Sequence, residues 1–309
     1  MINRSTLMKT PLLFALAAAA TLTATGAQPS PIRIVTSIPD LAEFAGHIGG
    51  PLVQVQSLAT GVEDPHGLPI KPSFVTQLAR ADAVILLGLE NEHAYLPALL
   101  EASRNNRIQR GRPGYIDTSV GIVPMEVPTT LDRAQGEVHP AGNPHYNLDP
   151  VHARTILNNI CDSLSRLFPE HAQAFEQGRD AYLAQLNARI TAWLDLAAPA
   201  RGLKFVSYHA HWAYFADRFG FNHIGTIEMR PGIEPTPRHV QNLVELMKEQ
   251  DVRIVVREPQ YSPRLPNQIA RQTGATVVTL PIMVGGVRQA NTYIDMIDYN
   301  LRTLLDAAP

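Results

Sequence analysis

The chain lacks several features that would point to other classes of protein. It has a single cysteine, Cys161, so no disulfide bond can form within it. Basic and acidic residues nearly balance, at a formal net charge of −2, which gives no sign of the basic surface typical of nucleic-acid-binding proteins. No apolar run after residue 27 is long enough to span a bilayer. The sequence also lacks the HExxH motif of many zinc hydrolases.

The first 27 residues differ in composition from the rest of the chain. Arg4 and Lys9 precede the apolar run PLLFALAAAATL, and small residues follow that run. This pattern predicts a secretory signal peptide that is cleaved after Ala27. Cys161 lies far from that position, so it cannot carry a lipid next to the signal, and we expect it to be a buried core thiol. The prediction is a soluble, exported, periplasmic protein without a lipid anchor.

Short apolar runs alternate with helical patterns along the remaining chain. Strands are predicted at 32–37, 52–58, 82–88, 203–208, 252–258 and 275–280, with a further possible strand at 121–127. Strands that alternate with helices indicate βαβ units and parallel sheets. The sequence therefore predicts an α/β protein.

The helical pattern at 169–197 predicts a helix that is too long to belong to one small lobe alone. At 1.5 Å per residue it spans roughly 40 Å. We therefore expect two lobes, each with a central, mostly parallel sheet flanked by helices, joined by one long backbone helix. The predicted boundaries are 28–168 for the N-terminal lobe, 169–198 for the linking helix and 199–309 for the C-terminal lobe.

Candidate ligand residues follow predicted strands, where open α/β sheets bind their ligands. His66 lies in VEDPHGLPIKPS, His145 in GNPHYNLDP and His209 in VSYHAHW, and Glu258 ends a strand in VVREPQ. A lone loop histidine is more often an ordinary surface residue. Three of them at the ligand-binding ends of two lobes instead suggest a metal site, since three imidazoles leave one tetrahedral position of zinc open.

These motifs together resemble the cluster A-I solute-binding proteins of metal ABC transporters. The matching stretches are DPHGLPIKPS, NPHYNLDP, SYHAHWAYFADRFG and IEPTPRHVQNLVELMKEQDVRIVVREPQYS. The resemblance implies that His66, His145 and His209 are metal ligands. The family's ligand lies five residues before the tyrosine of its third motif, so Tyr214 favours His209 over His211. The long helix also resembles the family's interlobe backbone.

The chain departs from the family pattern at the fourth ligand. Leu280 and Pro281 stand where the family usually has an aspartate. Glu258 is the first candidate to replace it, and a water molecule or Asp64 could also fill the position. Glu258 could instead be an ordinary carboxylate paired with Arg257 or Arg264.

Two further histidines have less defined expected roles. His211 could lie beside the site without binding the metal, and His139 could recruit metal weakly. The remaining histidines are expected on the surface or on helix faces.

The functional expectation is a binding protein that captures Zn²⁺ between its lobes and delivers it to an inner-membrane ABC permease. Imidazole ligands favour zinc, whereas manganese prefers more oxygen ligands, so a Mn²⁺-binding protein of the same class is the alternative. The expected partners are the permease and, optionally, a periplasmic metallochaperone, with no nucleic acid, and the expected state is a monomer. A secreted zinc hydrolase is a rival of another class, because three histidines and a water also form catalytic zinc sites.

Overall fold

The computed structural model describes residues 30–128, 139–228 and 233–309. The predicted signal peptide, residues 1–27, lies outside these ranges. The described chain builds two four-stranded sheets. Their strands are β1 Ile32–Thr36, β2 Val53–Ser57, β3 Ala83–Leu86 and β4 Tyr115–Asp117, then β5 Lys204–Ser207, β6 Asn222–Thr226, β7 Ile254–Arg257 and β8 Thr276–Thr279.

Both sheets are fully parallel and have the same topology. The strand order is β2-β1-β3-β4 in the N-terminal lobe and β6-β5-β7-β8 in the C-terminal lobe. The central strands β3, β5 and β7 are almost entirely buried, as continuous apolar runs covered by helices on both faces should be. The predicted two-lobed α/β fold with parallel sheets is confirmed.

Nine helices of at least seven residues surround the sheets in the described ranges. They are α1 Pro39–Gly49, α2 Pro72–Arg80, α3 Leu96–Ser103, α4 Pro150–Leu167, α5 Ala172–Ala197, α6 Ala213–Phe219, α7 Pro237–Glu249, α8 Arg264–Thr273 and α9 Tyr293–Asp306. Several begin with a side-chain cap. Asp149 caps α4 by accepting from Val151 N, and Thr236 caps α7 by accepting from His239 N.

Helix α5 is the predicted long helix, and it packs against both lobes. It contacts α1 and α4 of the N-terminal lobe and α9 of the C-terminal lobe. Tyr182 donates to Glu43 Oε1 of α1 at 2.8 Å, and Trp193 donates to Asp298 Oδ1 of α9 at 3.0 Å. A single apolar core cluster includes residues of α5 and of both lobes. Cys161 is fully buried in that core, as predicted.

The strands differ from the sequence-based prediction in two respects. Residues 121–127 contain no strand, because Pro124 cannot donate to a ladder and Glu126 has a positive φ of 53°. The strands β4 and β6 are present without having been predicted. The first has only three residues, and the second reads NHIGT, with a glycine and polar residues at the edge of its sheet.

Candidate metal centre

Four histidines converge between the two lobes. His66 lies in the loop after β2, and His145 lies just before α4. His209 and His211 follow β5 in the other lobe. All four side chains are buried, with 0–4% of each residue exposed. Each offers one nitrogen atom to a group in which all ligand atoms lie within 4.8 Å of one another.

Each of the four rings has its Nδ1 atom fixed by an oxygen acceptor behind it. The acceptor for His66 is the Asn91 carbonyl at 3.3 Å, and for His145 it is Asn143 Oδ1 at 2.8 Å. The acceptors in the other lobe are Glu228 Oε2 at 2.7 Å from His209 and Glu258 Oε1 at 3.1 Å from His211. An imidazole that donates from Nδ1 keeps the lone pair of Nε2 for a metal.

The Nε2 atoms are therefore the atoms that remain available to a metal. Nε2 of His66 lies 2.9 Å from Nε2 of His145. Nε2 of His211 is buried and has no hydrogen-bond partner among the described residues. Lone pairs that face one another in a dry pocket are unfavourable by themselves, and a cation between them removes that cost. The arrangement suits a metal ion.

Tetrahedral zinc fits the spacing. Zinc binds histidine nitrogen at about 2.0–2.1 Å, which puts neighbouring ligand nitrogens about 3.4 Å apart. The four nitrogens are already within 4.8 Å of one another, so ring movements on the order of 1 Å bring them into range. Four imidazoles complete a tetrahedron without a water ligand.

Glu258 does not belong to this group of four. It is fully buried at the end of β7, and its Oε1 accepts from Trp212 Nε1 at 2.8 Å as well as facing His211. His211 follows β5, which is the neighbour of β7 in the sheet. The His211 ring therefore lies between the Glu258 carboxylate and the group of Nε2 atoms. The alternative to a ligand role is an ion pair with Arg257 or Arg264. Among the described residues, the Glu258 carboxylate instead faces His211, and Arg257 donates to the Tyr261 carbonyl and to Thr279 Oγ1.

Asp64 and His139 also lie outside the group of four. Asp64 Oδ1 accepts from the His66 backbone N–H at 2.9 Å, which shapes the loop that carries His66. The ring of His139 lies 4.8 Å from that of His66, beside the group and not within it. Leu280 is fully buried, in the position where the resembling family has an aspartate.

The electrostatic environment keeps most of these imidazoles neutral. Burial lowers the pKa of His66 to about 3, with His209 adding to the effect. Burial and the neighbouring imidazoles also hold the pKa values of His145 and His211 well below the usual range. For His209, burial acts in the same direction, but the hydrogen bond and the charge of Glu228 outweigh it and raise the pKa. Burial raises the pKa of Glu258 to about 7.

Two parallel-sheet lobes that enclose a buried group of imidazoles define a two-lobed binding protein with a candidate metal centre. The family model for the zinc-uptake complex component A, periplasmic, matches residues 34–307. The chain therefore belongs to the ZnuA family.

Similar proteins include zinc-binding relatives. The zinc-binding lipoprotein AdcA of Streptococcus pneumoniae is 24% identical in an alignment of 279 residues that covers 88% of this chain and 55% of AdcA. The high-affinity zinc uptake system protein ZnuA of Yersinia pestis is 24% identical over 85% of this chain and 87% of its own. The chain thus spans about half the length of the AdcA relatives that it matches.

Solved structures share the fold. A zinc-bound crystal structure of a ZnuA deletion mutant is 29% identical, with a TM-score of 0.77, over 90% of this chain and 98% of that one. A manganese-bound periplasmic protein from Candidatus Liberibacter asiaticus is 20% identical, with a TM-score of 0.75, over 89% of this chain and 99% of that one. At that identity the second likeness concerns the fold alone.

Two residues of this centre are missed by sequence reasoning. His211 is expected only beside the site, although His-x-His in a non-helical segment can bring two imidazoles to one side of the chain. Glu228 is not among the candidates at all, because it follows β6, a strand that the sequence pattern does not predict.

Proposed function

We propose that the protein captures Zn²⁺ between its lobes and passes it to the permease of an ABC transporter. The observation that carries this proposal is the buried group of four histidines, whose Nδ1 atoms are fixed and whose Nε2 atoms are available to a metal. The ZnuA family match and the zinc-binding relatives support the same cargo. Zinc is the substrate that is carried, not a catalytic cofactor.

The proposed ligands are His66, His145, His209 and His211. Glu258, the fourth ligand expected from the sequence, becomes the residue that orients His211. Four imidazoles offer nitrogen only, which suits zinc and disfavours manganese, a metal that prefers carboxylate and carbonyl oxygen.

The charge of a buried divalent ion also needs compensation. Four neutral imidazoles supply none, but Glu228 and Glu258 lie directly behind two of them. The two carboxylates together balance the two positive charges of zinc, each separated from the ion by one imidazole ring. The negative charge of the two carboxylates lowers the free-energy cost of burying the zinc ion.

A binding role is favoured over hydrolysis. A catalytic zinc keeps one coordination position for water, and four imidazoles fill all four. Glu228 and Glu258, the two buried glutamates that contact the group, are both bonded to ligand rings. Containment and release of an ion need neither an open position nor a base.

The place of action proposed is the periplasm, reached through the signal peptide at residues 1–27, without a lipid anchor. No helix in the described parts of the chain is long and apolar enough to cross a membrane. Among the relatives, AdcA of Streptococcus pneumoniae is a lipoprotein. Intact mass of the protein recovered from an exporting cell tests the cleavage after Ala27 and the absence of a lipid together.

Metal content and competitive titration test the cargo. The protein is purified without an affinity tag, analysed for metal, stripped, and titrated with Zn²⁺ and Mn²⁺ against a competing chelator. One tightly bound zinc per chain, with much weaker manganese binding, is expected. Absence of metal together with millimolar zinc binding would overturn the proposal and leave the fold untouched.

Delivery needs a second experiment with the transporter. Cells that lack this protein should regain growth in zinc-chelated medium when the wild-type gene is restored, and should not when His145→Ala is supplied. Equal rescue by both would contradict delivery through this site.

A further inference from the structure

The segment that carries His145 is held by both lobes. His145 belongs to the N-terminal lobe in sequence, but Asn143, two residues earlier, donates from Nδ2 to the carbonyl of Ala210 at 2.9 Å. Ala210 lies between His209 and His211, the two candidate ligands of the other lobe. One amide group therefore links ligand segments of the two lobes.

The same side chain holds the His145 ring in place. Asn143 Oδ1 accepts from the backbone N–H of His145 at 3.0 Å and from its Nδ1 at 2.8 Å. Its Nδ2 also donates to Glu126 Oε2 at 2.7 Å. All the hydrogen-bonding capacity of this buried amide is in use, so its orientation is fixed.

Further contacts fasten the segment to the C-terminal lobe. Tyr214 of α6 donates to the Asn143 carbonyl at 2.7 Å. Asn147 donates to the Ile282 carbonyl at 3.1 Å, and Arg218 forms a bidentate ion pair with Asp149 at 2.8 Å for each bond. The residues on both sides of His145 thus bind the other lobe.

The loop of His66 is fastened differently. Among the described residues, its hydrogen bonds stay within the N-terminal lobe: Thr60 binds Glu63, His66 binds Asp64, and the His66 ring binds the Asn91 carbonyl. It meets the other lobe through packing, where Gly61 at φ 102° leaves no room for a Cβ against the Val284 carbonyl.

We infer that Asn143 is a positioning residue that locks His145 to the ligand segment of the C-terminal lobe. His145, His209 and His211 then form one preorganised part of the site, and His66 is the ligand that separates when the ion enters or leaves. This inference rests on the proposed function, because it assumes that the four histidines bind zinc. It adds a residue that controls how long the ion stays bound.

The test is the rate of zinc dissociation from the full-length mature protein, measured by chelator chase at pH 8. Asn143→Asp keeps an oxygen for the His145 ring but replaces the donor to Ala210 with a second oxygen. A carboxylate behind the His145 ring would by itself slow dissociation, so an acceleration reports the lost hydrogen bonds of Nδ2. We expect dissociation to accelerate about tenfold, the scale of effect when a buried carbonyl loses its donor. The stoichiometry should remain one zinc per chain.

A matched control is Asn105→Asp. Asn105 donates from Nδ2 to two backbone carbonyls, those of Leu78 and Ala81, and accepts from the Arg107 N–H, all within the N-terminal lobe. The same chemical change there should leave zinc dissociation unchanged. Equal acceleration in both variants would overturn the inference, since general loosening would then explain it.

A double variant separates the two contacts of Nδ2. When Asn143→Asp is combined with Glu126→Gln, the new amide at position 126 donates to the new carboxylate at position 143, but the Ala210 carbonyl still faces an oxygen. Fast dissociation should persist in this double variant. If zinc dissociation in the double variant is as slow as in wild type, the effect of Asn143→Asp comes from its contact with residue 126. That result would contradict the link between the lobes.

Tyr214→Phe is a second variant that tests the same link if Asn143→Asp does not fold. It removes the bond to the Asn143 carbonyl and leaves the acceptor for the His145 ring intact, and dissociation should again accelerate. Unchanged dissociation in every folded variant would overturn the inference, while wild-type protein that binds no zinc would overturn the proposed function instead.

Discussion

The two lobes differ in what stands behind the histidines that they contribute to the metal centre. In the N-terminal lobe, His66 and His145 donate to neutral oxygens, a backbone carbonyl and an amide. In the C-terminal lobe, His209 and His211 donate to the buried carboxylates of Glu228 and Glu258. A carboxylate partner makes an imidazole a stronger metal ligand and adds negative charge. We therefore expect the C-terminal lobe to attract the ion and the N-terminal lobe to enclose it.

The largest expected effect follows loss of a ligand from the C-terminal lobe. His211→Ala should weaken zinc binding by more than the roughly 10–100-fold that loss of an orienting partner costs. It also leaves the Glu258 carboxylate buried without its imidazole partner. Chelator-competition titration measures the change, and His171→Ala, on a turn before α5, is the control. If His211→Ala binds zinc as tightly as wild type, His211 is not a ligand, and Glu258 or a water molecule must be the fourth zinc ligand.

Removing charge from behind a ligand should have the next largest effect. Glu258→Gln keeps the size of the side chain but offers a neutral oxygen or a donor to His211. We expect zinc affinity to fall about 10–100-fold, and by less for Asn91→Ala, because the carbonyl behind His66 belongs to the backbone and survives that change. Similar losses in the two variants would remove the distinction between the lobes.

Changing the donor atom at position 211 should alter metal preference. His211→Asp supplies one oxygen in place of one nitrogen, the kind of ligand that manganese prefers. The ratio of manganese to zinc affinity should therefore rise relative to wild type, even if zinc remains the tighter ion. Parallel titrations with both ions measure the ratio, and an unchanged ratio would exclude His211 from the ligand set.

The pH dependence of zinc binding should reflect the same asymmetry. At pH 6 the low pKa values of His66, His145 and His211 leave these rings neutral and ready to bind. His209, with a raised pKa, and Glu258, with a pKa of about 7, take up protons as the pH falls. Zinc must displace those protons, so its affinity falls with falling pH.

The slope of that dependence is the measurable quantity. Two titrating groups give a slope of log affinity against pH of at most about two between pH 6 and 5, whereas four ordinary imidazoles with pKa values of about 6.5 would approach four in the same range. Glu258→Gln should reduce the slope by about one. A slope of three or more in the wild type would contradict the assigned environments.

The fold is largely predictable from the sequence because its signals are local and periodic. Apolar runs, the caps at Asp149 and Thr236 and the long helical spacing of α5 each specify one element. The missed strand β6 is short, polar and at a sheet edge, so it lacks that signal. Its omission also hid Glu228, the residue that follows it.

The candidate site is predictable only in part, for a different reason. His66, His145 and His209 stand in recognisable motifs, and the structure brings them together. Whether Glu258 or His211 reaches the centre depends on the register of β5 beside β7, which no local pattern encodes. Glu258 and His211 differ only in which of them is nearer to the centre, by about the length of one side chain.

The most direct measurement is an anomalous-scattering map at the zinc edge, from crystals of the mature protein grown with one equivalent of zinc. We expect one interlobe peak at about 2.0–2.1 Å from Nε2 of His66, His145, His209 and His211, with Glu258 bonded to the far side of His211. A peak bound by the Glu258 carboxylate in place of His211, or a peak outside this group, would contradict this expectation.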